Sequence, residues 1–166
     1  MPGSTEGFHE PCIMGILNVT PDSFHDGGKH NSLDAAVSQA SRMLEDGADV
    51  LDLGAQSTRP GAEQVGAEEE WRRLAPVLRA IQDKHPNTVL SIDTFHPIVA
   101  ERALQKGAHW INDVTGGNET MWQVVADADC PYVMMHMQGT PATMQQNPTY
   151  DDVVQDILTA LDERVK

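Results

Sequence analysis

The chain has 166 residues, 40% of them hydrophobic, which is the length of one domain with enough apolar side chain for a core. Its formal charge of −14, from 11 Lys+Arg against 25 Asp+Glu, repels nucleic acid and anionic membrane, so neither is expected as a partner. No run reaches the roughly 18 apolar residues of a membrane span, and the opening MPGSTEGFHEP lacks the basic-then-apolar order of a secretory signal, so a cytoplasmic protein is expected.

Residues 1–11 read as a flexible amino-terminal segment and 12–166 as the domain. The first strand is expected at Cys12–Val19, and the TPDSFHDGG that follows Val19, with a proline, two aspartates and two glycines, cannot continue it. From Ser32, the side chains of Leu33, Ala36, Val37, Ala40, Met43 and Leu44 line one helical face, with Gly47 as the stop. A second strand, Asp49–Ala55, runs into STRPG. A second helix opens with Glu68, Glu69 and Glu70, buries Trp71, Leu74, Leu78 and Ile81, and ends near Lys84 to Pro86.

Thr88–Thr94 is the third strand, ending on Asp93. A third helix starts at Pro97 and closes at Gly107. Trp110–Val114, a helix from about Thr120, Tyr132–Met137 and a helix from Asp151 complete the series, the last turning Val154, Ile157, Leu158, Leu161 and Val165 inward. The strands are nearly continuous apolar runs, which a parallel sheet covered by helices requires. GADVLDLG and GAHWINDVTG echo each other and make Asp52 and Asn112 equivalent. Polar residues recur at strand carboxyl ends, namely Asn18, Asp52, Asp93, Asn112 and His136, which favours a barrel over a doubly wound sheet, because that end is the active face of a barrel.

Several residues carry two readings. Arg59, helped by Thr58, is either part of an exposed Pro-Gly turn or an anion-gripping guanidinium that offsets the unfavourable net charge. Asp93 is either a cap for the helix at Pro97 or a carboxylate that hydrogen-bonds a nitrogen-rich heterocycle and stabilises positive charge on it. Asn112 offers a donor and an acceptor to such a ring, or satisfies backbone groups. His136 reads as a satisfied interior histidine, and Met135 as core or as packing for a flat ring. Cys12 and Cys130 read as small structural hydrophobes in a reducing compartment. Seven scattered histidines give no zinc spacing, and no glycine-rich nucleotide motif is present.

Taken together, ILNVTPDSF, DGG, STRPGA, SIDT, INDV and the MHM to NP segment resemble the amino-terminal part of dihydropteroate synthases, over nearly the whole chain. The resemblance implies a TIM (β/α)8 barrel of the α/β class, here incomplete, with about five βα units and parallel strands where a full barrel takes eight and about 250 residues. It implies a transferase of folate biosynthesis that joins 6-hydroxymethyl-7,8-dihydropterin diphosphate to 4-aminobenzoate and releases pyrophosphate, with Mg2+ as cofactor. By motif match, Asn18 looks like the magnesium-linked diphosphate contact, and Asp93 and Asn112 look like pterin contacts; Met135 is counted with the substrate-binding residues as packing for the flat ring. Asp26, Thr58 and Arg59 look like parts of the loops that close over diphosphate and aminobenzoate; Asp26, Arg59 and Asp93 are the residues expected to act in catalysis.

The chain departs from the family pattern at Ala55 and Gln56, where Gly-Glu is usual, so a negative charge is expected to be lost there, and at His25, where serine is common. The family's later motifs, DPG.GF, SRK and R.H, do not occur. Little turnover is therefore expected of these residues alone, and exposed edges are expected at the first and fifth strands, open to a homodimer or a complementing carboxyl-terminal fragment. Two other readings are a pterin-binding methyltransferase domain, which the diphosphate-type loops disfavour, and a catalytically inactive half-barrel that associates with a partner.

Overall fold

The structure is a computed structural model, and it describes residues 11–19, 28–56, 65–140 and 143–164. Strands and helices alternate as β1 (Met14–Asn18), α1 (Gly28–Glu45), β2 (Val50–Gly54), α2 (Ala67–Lys84), β3 (Val89–Asp93), α3 (Pro97–Gln105), β4 (Trp110–Asp113), α4 (Glu119–Ala128), β5 (Tyr132–Met134) and α5 (Val153–Asp162). The strands form one parallel sheet in the unpermuted order β1-β2-β3-β4-β5. A doubly wound sheet reverses its strand order at a switch point, whereas a barrel adds each strand beside the last. The sheet is thus a five-strand arc of a β/α barrel, and β1 and β5 are its edges among the described residues.

Alternation along each strand divides the side chains between two faces. Leu17, Leu51, Leu53, Leu90, Ile92 and Ile111 join Ala36, Ala40, Leu74, Leu78, Ile81, Val99, Ala103 and Met121 in one core between sheet and helices. The other face carries Asp52, Gly54, Ser91, Asp93 and Asn112. It is covered at the centre, where Val50 is buried, and open at the first strand, where Ile16 is 62% exposed.

The helix stops at Gly47 and Gly107 adopt positive φ, 103° and 89°. Each following residue reaches back to a carbonyl five residues earlier, Ala48 N to Met43 O and Ala108 N to Ala103 O, both at 2.9 Å. The sequence echo is therefore structural, and it extends two residues past each glycine. Asp49 Oδ2 accepts from Ile13 N at 2.8 Å, and His109 Nδ1 accepts from Leu90 N at 3.1 Å. Each side chain ties the start of one strand to the start of its neighbour.

Four expectations need correction. α1 starts at Gly28, ahead of the apolar pattern that begins at Leu33, because an amphipathic stripe marks only the packed part of a helix. β5 ends at Met134 instead of Met137: the Gln138 carboxamide pairs with the backbone of Thr149 on both sides, at 2.6 and 3.0 Å, and draws the chain into a loop. α5 does not bury its apolar stripe, since Val154 and Leu158 are 65% and 52% exposed. Cys12 is exposed, and only Cys130 is partly buried.

Candidate functional site

In the strand register, Asn18 lies opposite Gly54, Gly54 opposite Asp93, and Asp93 opposite Asn112. These four residues form one row across the carboxyl ends of β1 to β4. Gly54 holds the row open. A Cβ added there would lie 3.1 Å from Asn18 Oδ1 and 3.2 Å from Asp93 Oδ2, so any side chain would press on both oxygens. The two oxygens therefore converge on one point above β2.

Asp93 does not cap α3. The N-cap is His96, whose backbone N–H donates to Thr94 Oγ1 at 3.1 Å. Burial pushes the Asp93 carboxyl up to about 7, and the charges of Asp52, Glu70 and Asp113 push in the same direction. A carboxyl that keeps its proton up to near neutrality, and that shares the space above Gly54 with Asn18 Oδ1, is poised to respond to a cationic or N–H-rich ligand.

One level below the row, Asp52 is 2% exposed and its Oδ2 accepts from Asn112 Nδ2 at 2.9 Å, across the intervening β3. The Asn112 side chain thus serves a neighbouring carboxylate and not backbone groups. Asp52 Oδ1 and the hydroxyl of Ser91, its register partner, are buried without a hydrogen-bond partner among the described residues. Asp113 is fully committed: Oδ1 accepts from the Thr115 backbone and hydroxyl, each at 2.7 Å, and Oδ2 from the Tyr132 hydroxyl at 3.0 Å. Burial, with Asp113 beside it, raises the Tyr132 phenol above its ordinary range.

Beside the row, Gln56 is buried and donates to Glu70 Oε2, while its Oε1 accepts from Val65 N at 3.3 Å. His96 Nε2 lies 3.2 Å from Val65 O and 3.7 Å from the same Glu70 oxygen. The expected loss of negative charge at position 56 has this consequence: a carboxamide there can donate to Glu70, where a second carboxylate could not without a proton. The departure from the family pattern is a fitted pair.

Asn18, Asp93 and Asn112 are thus brought together. Met135 follows β5, partly buried, with its N–H donating to Asp113 O at 3.4 Å and its carbonyl accepting from Arg164 Nη1 at 3.4 Å. His136 is not the satisfied histidine expected, since both ring nitrogens are buried without a hydrogen-bond partner among the described residues; its ring lies 5.9 Å from that of Tyr150. Asp26, Thr58, Arg59 and His25 lie outside the described residues. Sequence reading missed Glu70, which was placed only in an acidic first turn, and Asp113, which was placed only within the fourth strand. Asp52 was visible as the equivalent of Asn112, but nothing in the spacing showed that the two would bond to each other.

Among the described residues no group of three His, Cys, Asp or Glu side chains is arranged to hold a metal, and no helix is long and apolar enough to cross a membrane. The described part of the site is rich in acceptors, which suits a heterocycle edge bearing N–H groups.

The sequence model of the family described as pterin binding enzymes matches residues 14–166. The chain belongs to this family. Within the pterin-binding family it is 51% identical over 160 residues to the mitochondrial folate synthesis bifunctional protein of Pisum sativum, covering 93% of this chain and 31% of that protein. It is 46% identical over 156 residues to the dihydropteroate synthase of Escherichia coli, covering 93% of this chain and 55% of the other. Among solved structures, the Xanthomonas albilineans dihydropteroate synthase with 4-aminobenzoic acid superposes with a TM-score of 0.82 at 46% identity, over 93% of this chain and 55% of that one. The chain therefore spans about half the length of the dihydropteroate synthases it matches, and the five-strand arc is the partial barrel expected from the sequence.

Proposed function

We propose that this chain supplies the first five βα units of a dihydropteroate synthase, which joins 6-hydroxymethyl-7,8-dihydropterin diphosphate to 4-aminobenzoate. The observation that carries the reading is the row Asn18, Gly54, Asp93 and Asn112, an acceptor-rich rim at the carboxyl ends of adjacent strands. In the reaction, the bond between the pterin methylene carbon and the bridging diphosphate oxygen breaks, and its electron pair leaves with pyrophosphate. The methylene carbon becomes cation-like, the arylamine nitrogen adds to it, and the ammonium proton passes to solvent.

Asp93 would accept hydrogen bonds from the ring and, once ionised, stabilise the positive charge that develops on it. Asn112 would hold a second point on the ring edge. The acidic surroundings of Asp93 favour a cationic pterin but disfavour diphosphate. The diphosphate end would therefore rely on Arg59 and Thr58, with Asp26 in the loop after Asn18, and on Mg2+. Mg2+ binds through few protein oxygens plus substrate phosphates, and Asn18 Oδ1, converging with Asp93 Oδ2 on the space above Gly54, fits that demand. When bound, the ion would neutralise charge on the departing pyrophosphate. Met135 would pack against the ring. A cytoplasmic or other reducing compartment suits the free thiols Cys12 and Cys130.

The test is binding and turnover in the same preparation. Pterin diphosphate should quench or shift fluorescence on mixing, and Asp93→Ala should weaken that binding by about tenfold or more. Pyrophosphate release with both substrates should be weak for the 166-residue chain and should rise when the remaining βα units of a relative are supplied as a separate fragment. Failure to bind the pterin diphosphate, with or without that fragment, would overturn the reading.

A further inference from the structure

The buried pair Asp52–Asn112 is a polar contact inside the sheet that leaves one carboxylate oxygen without a partner among the described residues. Asp52 is 2% exposed, one of its oxygens has no partner among the described residues, and its single bond is to the side chain of a residue in the proposed pterin row. Leaving a carboxylate oxygen unsatisfied inside a sheet is unfavourable, so its retention calls for a return elsewhere.

That return lies in the geometry of the amide. A carboxamide has two nearly isosteric ends, one accepting and one donating, and an unrestrained asparagine can present either by turning over. An ionised carboxylate only accepts. Asp52 Oδ2 therefore takes the Nδ2 end of Asn112, at 2.9 Å, and excludes the flipped arrangement, which would set two oxygens against each other. One N–H of Asn112 is used in this bond. Among the described residues the second N–H and Oδ1 make no other hydrogen bond, and they lie on the residue beside Asp93 in a fixed order.

We infer that Asp52 is a positioning residue that locks the Asn112 carboxamide, so that the cleft presents an acceptor and a donor in one order only. The ligand edge that fits is an exocyclic amino group next to an unprotonated ring nitrogen, as in a 2-aminopyrimidinone ring. An edge with a ring N–H next to a carbonyl has the opposite order and meets two mismatches. This inference rests on the proposed pterin site and deepens it by naming the residue that sets which edge is accepted.

The experiment compares the full 166-residue chain with its Asp52→Asn and Asn112→Ser variants, using 6-hydroxymethylpterin and 6-hydroxymethyl-lumazine as probes. The lumazine has a carbonyl in place of the 2-amino group. The wild type should prefer the pterin by about tenfold or more, and Asp52→Asn, which lets the amide turn over, should bring that ratio close to one while thermal unfolding stays cooperative. Asn112→Ser should lose the same discrimination. Unchanged discrimination in Asp52→Asn would overturn the proposal.

A second readout needs neither a ligand nor a variant. In the wild type, the Asn112 side-chain amide protons should show a downfield NMR resonance and slowed solvent exchange. Free exchange at Asn112 would overturn the lock. If the amide is protected but neither probe binds, the pterin reading fails while the lock stands; if the pterin binds and the amide exchanges freely, the lock fails while the pterin reading stands.

Discussion

At the scale of single residues, the acidic cluster beneath the rim gives Asp93 a definite pH signature. Its carboxyl titrates near 7 in the folded chain against an ordinary 3.8, so the native state keeps a proton that the unfolded chain releases. Stability should therefore fall as pH rises from about 4 to about 7 and level off above. Asp93→Asn removes the titration. In urea denaturation it should be more stable than the wild type by roughly 2–4 kcal/mol at pH 8 and no different at pH 3, and an equal gain at both pH values would count against burial among like charges as the cause. Gln56 makes the complementary case. Gln56→Glu would set two buried carboxylates against each other, so the variant should lose roughly 2–4 kcal/mol at pH 7 and recover below pH 4. A denaturation midpoint in the variant that is the same at both pH values would refute this. The shared row of Asn18, Asp93 and Asn112 could be read from the sequence because each stands at or beside the end of a strand. The roles of Glu70 and Asp52 could not, because their partners, Gln56 and Asn112, lie on other elements and only folding brings them within bonding distance.

At the scale of elements, the βα order was readable throughout, because apolar runs of strand length alternate with amphipathic stripes, and glycines stop α1 and α3. What the pattern missed depends on surroundings. α5 has a proper apolar stripe and an Asp152 cap that accepts from Val154 N and Gln155 N at 3.1 Å, yet Val154 and Leu158 stay exposed. Periodicity reports a helix, while burial needs a neighbour. The two echoing glycines separate backbone strain from crowding. At Gly47 an added Cβ meets nothing within 4 Å, whereas at Gly107 it comes within 2.9 Å of Gln82 Nε2, which itself donates to Lys106 O at 2.8 Å. Gly47→Ala should cost about 1 kcal/mol, the left-handed backbone penalty alone, and Gly107→Ala about 1 kcal/mol more. Thermal melts that rank the two variants in the opposite order would show that Gln82 yields freely. His109 adds a pH test to the same motif. Burial lowers its pKa below the ordinary 6.5, and its Nδ1 must stay unprotonated to accept from Leu90 N, so its contribution is present at neutral pH and lost progressively as pH falls below the ordinary histidine range.

At the scale of the whole molecule, two features oppose each other. The charge of −14 keeps chains apart, and the open β1 edge, with Ile16 and Ile13 exposed, favours their pairing. The chain should therefore associate more as salt is raised, because screening removes the repulsion while the edge remains available. Sedimentation velocity at about 0.05 and 0.5 M salt checks this, and a monomer under both conditions would mean that the edges are protected. The same charge bears on the proposed site. The described residues hold only its acceptor-rich side, and Arg59, expected with Mg2+ to balance it, falls with Thr58 in a segment outside them.

The unpermuted strand order has a kinetic meaning as well. Each strand docks on the one made just before it, with a single helix between them, so no segment has to wait for a partner from the far end of the polypeptide. A chain built this way can lay down its sheet in step with the ribosome, from β1 outward, and the last strand added is always the one whose free side is ready for the next.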